Sequence, residues 1–329
     1  MTVAVTGSTG FVGSHAVRAL LARGHTVRAL VRDPDKARTR LADSNDGRSG
    51  TLDLIPGDIF KRDSLVALTQ GCRAVVHAIG IRREFAPDIT FQRHHVKATA
   101  NILDAAATSG AARFIHISAL GTRPDANSGY FRTKWESESL VRASGLDWTI
   151  LRPGLIHGPD GEFMQMVKNW SLGRAAPRAF LPYFTRPVID KSFPPKPPKF
   201  VSASIAPIYV EDVAAAVAEA IANPKAVGEI YPLAGPEVLD WPTMLKSIRD
   251  AIPLARGTNK PVIGLPGHLG WIMAMKAKAF GMGALLPFGP SEPLMAMEDN
   301  LTSTAKAKAH LGASPVPFTT TMQSYAARI

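Results

Sequence analysis

Tyr130 and Lys134 are the two residues whose types and spacing could most directly carry out chemistry. Residues four apart on a helix share a face, so a helix through this segment would bring a lysine ammonium beside a tyrosine phenol. A nearby cation lowers the pKa of a phenol, which can then exchange a proton with a substrate oxygen. The pair therefore predicts a proton-transfer site. The alternative is a half-buried tyrosine and a solvated lysine that share this spacing by chance.

A glycine-rich turn near the N-terminus predicts a second kind of site. The spacing Gly7-x-x-Gly10-x-x-Gly13 directly follows an apolar run and directly precedes a helical pattern. Glycines here allow a tight turn, a close approach of phosphate to the backbone and close packing of helix on strand, while the helix N-terminus attracts the anion. A dinucleotide-binding turn is therefore predicted, with a purely structural turn as the alternative, over Gly7-Ser8-Thr9-Gly10-Phe11-Val12-Gly13.

The residues after the second apolar run distinguish between two dinucleotides. An acidic residue there would bind the ribose 2′-hydroxyl of NAD, whereas a basic residue would bind the 2′-phosphate of NADP. Arg32 directly follows the run 26–31, and Lys36 lies one helical turn later, with Asp33 between them. The two cations favour NADP(H) as the cofactor, and Asp33 leaves NAD(H) open.

Short apolar runs alternate with helical patterns along the first half of the chain. The runs are typical of buried parallel strands and lie at residues 3–6, 26–31, 52–55, 74–78, 114–118 and 148–151. Repeated strand-helix-strand units build a doubly wound parallel sheet. We therefore predict an α/β fold of the Rossmann type, with a dinucleotide-binding domain over residues 1–158 and a smaller C-terminal substrate lobe.

The C-terminal region, residues 159–329, differs in composition because proline becomes frequent. We predict three parts in chain order, namely a flap at 168–205, a return to the core at 206–236 and an apolar substrate lobe at 237–329. In the return, Asp212 is expected to cap a helix over 213–222. The lobe contains thioethers and large apolar groups that suit an adaptable pocket for a small apolar substrate, with ordinary core packing as the alternative. These residues are Leu265, Leu269, Trp271, Met273, Met275, Phe280, Met282 and Phe288.

The net charge of +11 is concentrated in two stretches. Residues 168–199 contain Asp190 as their only acid, and residues 251–291 contain no acid. Such a field favours anionic ligands, and beside the apolar lobe it suits peripheral contact with an anionic membrane surface. A solvated surface is the alternative. The chain has no zinc-ligand spacing and no nucleic-acid-binding signature, so neither a metal site nor a nucleic-acid partner is predicted.

Three features of the chain predict a cytoplasmic location. The single cysteine, Cys72, cannot form an internal disulfide, and Met1 leads directly into a strand-like run without a signal segment. The apolar run 269–275 is shorter than the roughly 20 residues that a membrane-spanning helix requires.

A series of short motifs resembles the short-chain dehydrogenase/reductase superfamily in its extended and atypical branches. The glycine turn has the form TGxxGxxG from Thr6, and the next motifs are Gly57-Asp58-Ile59, Val76-His77-Ala78-Ile79-Gly80, Tyr130-Phe131-Arg132-Thr133-Lys134, Arg152-Pro153-Gly154 and Tyr209-Val210-Glu211-Asp212-Val213-Ala214. The runs 114–121 and 299–301 are most similar to the NmrA-like members and to the complex I accessory nucleotide-binding subunit group. The resemblance covers residues 1 to about 240, judged by the order of the motifs.

At the adenosine end of the cofactor, the resemblance implies contacts from two strand ends. Asp58 and Ile59 would lie at the adenine, and the segment Ala78-Ile79-Gly80 would line the adenosine ribose. For Asp58, the alternative is a carboxylate that only caps a turn.

At the nicotinamide end, the resemblance places Lys134 at the ribose and Pro153 beside the nicotinamide ring, although Pro153 could also simply end a strand. The family normally supplies a serine or threonine just beyond the fifth strand to hold the substrate oxygen. Here Ala119 stands at that position, and Ser118, the remaining candidate, lies one residue earlier. His95 stands where asparagine is common. Loss of part of this set puts turnover in question while leaving cofactor binding intact.

The motifs together predict an NAD(P)H-dependent oxidoreductase that transfers hydride to an apolar carbonyl or an activated double bond, with Tyr130 as the proton donor. An alternative from a different class is a non-catalytic NADPH-binding protein, either a redox sensor or an assembly and stability factor, and Ala119 supports it. A nucleotide-sugar epimerase or dehydratase is a further alternative, which the apolar lobe suits poorly. Cofactor binding is common to all three.

Overall fold

The computed structural model describes residues 1–42, 50–190, 192, 196–255 and 257–329. Part of the proline-rich run of the predicted flap, residues 193–195, lies outside the described residues. Within the described part, no helix is long and apolar enough to cross a bilayer. The cytoplasmic location stays a prediction.

The strands alternate with helices along the N-terminal half, as the apolar runs predict. The strands are β1 (Thr2–Thr6), β2 (Thr26–Val31), β3 (Thr51–Pro56), β4 (Ala74–His77), β5 (Arg113–Ile117), β6 (Asp147–Pro153), β7 (Ile156–His157), β8 (Leu181–Val188), β9 (Lys199–Ser202), β10 (Ser204–Ile205), β11 (Ile208–Tyr209), β12 (Glu229–Leu233), β13 (Leu239–Asp240) and β14 (Val262–Pro266). The helices are α1 (Phe11–Ala22), α2 (Pro34–Arg40), α3 (Arg62–Thr69), α4 (Ala98–Ser109), α5 (Gly129–Arg142), α6 (Glu162–Ser171), α7 (Val210–Ala222), α8 (Trp241–Ala251), α9 (Gly267–Ala279), α10 (Ser291–Ala296), α11 (Ala305–Leu311) and α12 (Phe318–Tyr325). A π-helical segment, Gln92–Lys97, leads into α4.

Seven parallel strands form the central sheet in the order β12-β6-β5-β4-β1-β2-β3. Helices cover both faces, which explains why the inner strands are buried and mostly apolar. In β1, Val3 and Val5 face a core shared with α1 and α7, whereas Ala4 faces a core shared with α3 and α4. The predicted Rossmann-type α/β fold is confirmed.

The strand order reverses between β1 and β4, and ligands of such sheets bind at the carboxyl ends of the strands at this reversal. The turn after β1 and the segment 78–80 after β4 therefore lie side by side. The helix α5 and the strand β6 follow on the β5 side of the same edge. The fold thus brings the predicted cofactor and proton-transfer residues to one edge.

The C-terminal region both returns to this sheet and adds a smaller one. The helix α7 packs against α1, and β12 extends the central sheet beside β6. The strands β14, β8 and β9 form a separate three-stranded sheet, on which α9 packs. The predicted flap therefore contains β8 and β9. The domain boundary at residue 158 stays a prediction.

The expected cap at Asp212 is wrong. The helix α7 begins at Val210, so Asp212 lies inside its first turn. Its carboxylate accepts a hydrogen bond from the backbone amide of Val316, at 3.1 Å, instead of capping α7. A carboxylate in the first turn still interacts favourably with the positive end of the helix dipole.

Candidate cofactor and active site

The geometry of the turn after β1 requires glycine at two positions. Gly7 has a φ of +71°, and a Cβ placed on it would lie 2.8 Å from the backbone of Ala78. A Cβ on Gly13 would lie 2.0 Å from the carbonyl oxygen of Gly7. Both neighbours are backbone atoms that cannot rotate away, so the turn, β4 and α1 approach one another as closely as backbones can.

The N-terminus of α1 offers unpaired amides at this turn. The backbone amide of Ser14 donates to the carbonyl of Gly10 at 2.9 Å, so the amides of residues 11–13 precede the first bond of the helix. The first turn of α1 contains no acid, and Thr9 and Gly10 are exposed. An open helix N-terminus without a nearby carboxylate fits the pyrophosphate of a dinucleotide.

The other side chains of the turn hold its shape. The Ser8 hydroxyl is buried and donates to the carbonyl of Leu30 at 2.9 Å, which ties the turn to β2. The Phe11 ring contacts the loop at Gly158, and Val12 packs against the core below α1. Because these three side chains are occupied, the turn offers its backbone to a ligand.

The cations predicted at the 2′-phosphate differ in their surroundings. The Lys36 ammonium lies 3.1 Å from the Asp33 carboxylate, and its side chain is 87% exposed. Asp33 also accepts a hydrogen bond from the Lys36 amide and so caps α2. Arg32 is exposed and makes no hydrogen bond or ion pair with any residue that the structure describes. It is therefore the less neutralised cation of the two.

At the predicted adenine position, the carboxylate of Asp58 accepts a hydrogen bond from the Phe60 amide at 2.8 Å. The turn-capping role is therefore present, and it leaves the second carboxylate oxygen for other contacts. The Ile59 side chain is buried in the core. Any contact of Ile59 with a cofactor would therefore involve its backbone.

Lys134 lies where the resemblance places a ribose-binding cation. Its buried ammonium donates to the carbonyl of Ile117 at 2.9 Å, at the end of β5. A Cβ on Gly80 would lie 3.2 Å from the same ammonium. Burial lowers the pKa of Lys134 to about 8, although the charge of Glu138 opposes this shift. The ammonium thus lies between the ends of β4 and β5, the strands that flank the cofactor edge.

Tyr130 lies one turn before Lys134 on α5, but the expected effect on its pKa is wrong. Burial raises the pKa of Tyr130 to about 12. The Lys134 ammonium is directed to Ile117 rather than to the phenol, so it does not lower this value. The Tyr130 ring packs edge-on against His95 and Phe91, at centroid distances of 5.2 and 5.8 Å. Its hydroxyl makes no hydrogen bond with the described residues and is available to a ligand.

The serine or threonine expected beyond β5 is absent from its usual position. Ala119 packs in a small cluster with Phe131, and Tyr130 and Met295 pack against that cluster. Ser118 is buried, and its hydroxyl oxygen lies 3.4 Å from that of Thr122. The surface beside Tyr130 is therefore apolar where the family usually offers a hydroxyl. The catalytic role of Ser118 stays a prediction.

Buried histidines below Lys134 form a network that the sequence analysis did not identify. His77 on β4 hydrogen-bonds to Thr6 and stacks on His116 of β5 at 5.5 Å. His95 hydrogen-bonds to Thr133 at 2.9 Å. Burial, with a smaller contribution from the Lys134 charge, lowers the pKa of His77 to about 3. The histidines come from different elements, so no local spacing signals their contact.

A second unpredicted network ties α1 to the loop after β7. His15 lies between Glu211 at 2.7 Å and Asp160 at 3.1 Å, and Arg40 of α2 also pairs with Asp160. Burial opposes the charge of His15, but the bonds to Asp160 and Glu211 outweigh it and raise its pKa. This network fixes the helix whose N-terminus forms the glycine turn.

The segment that directly follows Pro153, the predicted nicotinamide position, is contacted by Asn300 of the C-terminal region. Pro153 is buried at the end of β6, and its carbonyl accepts a hydrogen bond from Leu120 at 2.8 Å. Asn300 accepts a hydrogen bond from the Leu155 amide at 2.9 Å. A Cβ on Gly154 would lie 2.4 Å from the same Asn300 oxygen. The residues 299–301 therefore fasten the C-terminal region to the end of β6.

Known proteins similar to this chain include reductases and a respiratory-chain subunit. A ceramide reductase from Caulobacter vibrioides is 34% identical over 158 residues, which cover 48% of this chain and 47% of that protein. The mitochondrial NADH dehydrogenase (ubiquinone) 1 alpha subcomplex subunit 9 of Mus musculus is 26% identical over 318 residues, 95% of this chain and 76% of that protein. For three of the curated relatives, the match spans only 34%, 47% and 52% of their length.

The fold and the family are shown by two further comparisons. An NADPH-dependent quinone oxidoreductase from Escherichia coli, complexed with NADPH, has a TM-score of 0.67 at 18% identity, with 98% of this chain and 99% of that chain covered. This likeness shows the fold. The profile of the NAD(P)H-binding family matches residues 7–176, slightly more than half of the chain. The chain belongs to the NAD(P)H-binding family, and the similarity to subunit 9 of the NADH dehydrogenase confirms its resemblance to the complex I accessory nucleotide-binding subunit group.

Proposed function

We propose that this protein is an NADPH-dependent reductase of an apolar carbonyl or an activated double bond. The observation that carries the proposal is the arrangement of Tyr130 and Lys134 on one helix at the cofactor edge. The phenol has no hydrogen-bond partner among the described residues, and the ammonium is buried beside Gly80. A proton donor and a cation at the switch point of a Rossmann sheet support hydride-transfer chemistry.

Different residues of the chain would bind the cofactor and transfer the proton. The backbone of the glycine turn binds the pyrophosphate, and Lys134 binds the nicotinamide ribose. When bound, the reduced cofactor supplies the hydride. Tyr130 delivers a proton to the substrate oxygen. Burial raises the pKa of Tyr130 to about 12, so the phenol is protonated at neutral pH and carries the proton that a reduction consumes.

An apolar substrate is supported by the residues that pack around Tyr130. Tyr130 and Met295 pack on the cluster that contains Ala119, and Phe91 contacts the Tyr130 ring, so apart from His95 these neighbours are apolar. A sugar nucleotide would place hydroxyl groups against this surface without partners, at a cost in free energy. The relative named ceramide reductase also supports an apolar, lipid-like substrate.

NADPH rather than NADH is proposed because Arg32 is exposed at the end of β2 without an ion-pair partner among the described residues. A guanidinium can bind a 2′-phosphate through charge-assisted hydrogen bonds. Asp33 is already engaged, since it pairs with Lys36 and caps α2. A carboxylate in that position is less available for the ribose hydroxyl of NADH.

A second candidate function is non-catalytic NADPH binding by a redox sensor or an assembly and stability factor. Ala119 favours it, because the usual hydroxyl beside the proton donor is missing. The similarity to subunit 9 of the mouse NADH dehydrogenase extends over 95% of this chain and also favours it. Both candidates share the cofactor site and differ only in turnover.

The test measures oxidation of NADPH by wild type, by Tyr130→Phe and by the matched control Tyr183→Phe, with a panel of apolar carbonyls, enones and quinones. Tyr183 lies on β8 and packs in a different core cluster. Tyr130→Phe should keep NADPH affinity and lose about 100- to 10,000-fold in rate, the usual contribution of an acid-base group. Tyr183→Phe should match wild type.

Two outcomes would redirect the assignment. A loss of less than about threefold in Tyr130→Phe, far below the usual acid-base contribution, would move the proton donor elsewhere. If wild type binds NADPH but reduces no member of the panel, the binding-protein function takes the lead.

A further inference from the structure

Helix α9 is oriented opposite to an ordinary surface helix. A surface helix normally buries its large apolar side chains and exposes its polar ones. In α9, the buried residues are the small ones, Gly267, Gly270 and Ala274. The large apolar side chains are exposed to solvent: Leu269, Trp271, Ile272, Met273 and Met275.

The small residues of α9 allow it to lie so close to its neighbours that larger side chains would not fit on its inner face. A Cβ on Gly270 would lie 2.5 Å from the ring of Phe184, and one on Gly267 would lie 2.3 Å from the sulfur of Met297. The helix therefore approaches β8 and the segment after α10 too closely for larger residues. Its outward apolar face is a consequence of this packing.

The exposed surface continues beyond the end of α9. Phe280 is 74% exposed and Leu285 is 77% exposed, with Met282 exposed between them. We call residues 269–285 the apolar face. Contiguous exposed apolar residues of this kind mark a surface that another structure covers.

The charge around the apolar face indicates what covers it. Residues 251–291 contain no Asp or Glu. Lys276 is exposed in the last turn of α9 and forms no ion pair with a described residue, while Lys278 pairs with Glu84 at 2.9 Å. Apolar side chains flanked by cations, without acids in the same segment, complement an anionic lipid surface.

The apolar face adjoins the candidate active site. The helix α9 packs against α10, and Met295 of α10 packs on the same small cluster as Tyr130. Arg83, three residues after Gly80, donates to the carbonyl of Leu286 at 2.7 Å. The face and the candidate active site are thus separated by the short helix α10.

We propose that the apolar face, residues 269–285, docks this protein on an anionic lipid bilayer. The exposed apolar side chains enter the headgroup region, and Lys276 interacts with the lipid phosphates. The inference does not depend on turnover, since lipid binding and NADPH binding are measured separately.

The experiment is vesicle flotation with phosphatidylcholine alone and with phosphatidylcholine mixed with phosphatidylglycerol, at low and high salt. Wild type should bind the anionic vesicles more tightly, and salt should weaken that binding. The variants are Phe280→Ser with Leu285→Ser, and Lys276→Glu. Each should lower the affinity for anionic vesicles by about tenfold or more, the first through lost apolar burial and the second through charge.

Matched controls change the same chemistry elsewhere. Val66→Ser removes an exposed apolar side chain from α3, and Lys225→Glu reverses an exposed charge in the turn after α7. Both should bind vesicles as wild type does. NADPH affinity should be unchanged in every variant, which shows that each one is folded.

Two results would overturn the proposal. Equal vesicle binding by wild type and by the variant with both Phe280→Ser and Leu285→Ser would assign lipid contact to another surface. Absence of vesicle binding, together with a dimer in sedimentation velocity that these substitutions dissociate, would make the face an interface between two copies of the chain.

Discussion

The central sheet and the small sheet with α9 use apolar residues in opposite ways. In the central sheet, the inner strands are buried between helices, and Phe114 has no exposed surface. On α9, glycine and alanine face the protein while large apolar residues face solvent. The glycines differ as well. A Cβ on Gly13 would meet a fixed backbone oxygen, whereas one on Gly270 would meet the side chain of Phe184.

The difference shows which forces each region depends on. The central sheet is stabilised by burial of its own apolar surface, and its glycines set the backbone geometry of the cofactor turn. The α9 region leaves apolar surface available, which is costly for a monomer in water but useful for a protein that contacts lipid. Stability and docking are thus assigned to different parts of the chain.

The largest effect on stability should come from replacing phenylalanine by alanine in the central sheet, compared with the same replacement in the α9 region. Phe114→Ala removes a fully buried ring and should lower the free energy of unfolding by about 3 to 5 kcal/mol. Phe280→Ala removes a ring that is 74% exposed. It should change the free energy of unfolding by no more than about 0.5 kcal/mol. Urea denaturation of both variants measures the difference.

A loss of several kcal/mol in Phe280→Ala would contradict the comparison. It would show that α9 is buried in solution, by a second copy or by a rearranged lobe. The concentration dependence of the unfolding midpoint identifies a second copy, since dissociation accompanies unfolding in that case.

The fold of the first half could be predicted because its information is local. The strands contain short, mostly apolar runs, and the glycine spacing lies between a strand and a helix, as in β1, Gly7 to Gly13 and α1. Buried parallel strands impose this pattern without reference to distant residues. The helical pattern that directly follows the glycine turn corresponds to α1.

The candidate site was predictable only in part. Tyr130 and Lys134 share one helix, so their spacing shows their common face. Met295, from a distant helix, packs on the same cluster as Tyr130, and the direction of the Lys134 ammonium depends on the Ile117 carbonyl. Such contacts arise from tertiary packing and have no local signature. The sequence did not predict which face of α9 is buried, because apolar content alone does not determine it.

The second-largest effect concerns Lys134, whose buried charge lowers the stability of the central sheet at the cofactor site. Burial lowers the pKa of Lys134 from 10.5 to about 8, which corresponds to about 3 kcal/mol of unfavourable charge burial. Lys134→Met should therefore raise the free energy of unfolding by about 1 to 3 kcal/mol, less the lost bond to Ile117. NADPH affinity should fall, since the ribose-binding cation is removed. Denaturation and calorimetry on the same sample test both.

The pH dependence of stability provides the control. The folded protein releases the Lys134 proton near pH 8, while the unfolded chain keeps it to 10.5. At Lys134 the unfolded state then binds more protons, so this residue should make wild type increasingly stable relative to Lys134→Met as the pH rises above 8, whereas the buried Cys72 thiol opposes the rise equally in both proteins. Lys134→Met should lack this rise. Measurements should stop below pH 10, where tyrosines of the unfolded chain begin to ionise. Identical pH profiles would mean that Lys134 is not the titrating group.

The smallest effect concerns the two cations at the end of β2. Arg32→Ala should remove about 1 to 2 kcal/mol of the preference for NADPH over NADH, the scale of a hydrogen bond to a charged group. Lys36→Ala should remove less, because its ammonium already pairs with Asp33 and its side chain is 87% exposed. Calorimetry with both cofactors gives the preference as a ratio of affinities. Equal affinities of wild type for NADPH and NADH would exclude a 2′-phosphate site here. A larger loss in Lys36→Ala than in Arg32→Ala would show that bound NADPH draws Lys36 away from Asp33, and would make Lys36 the principal phosphate ligand.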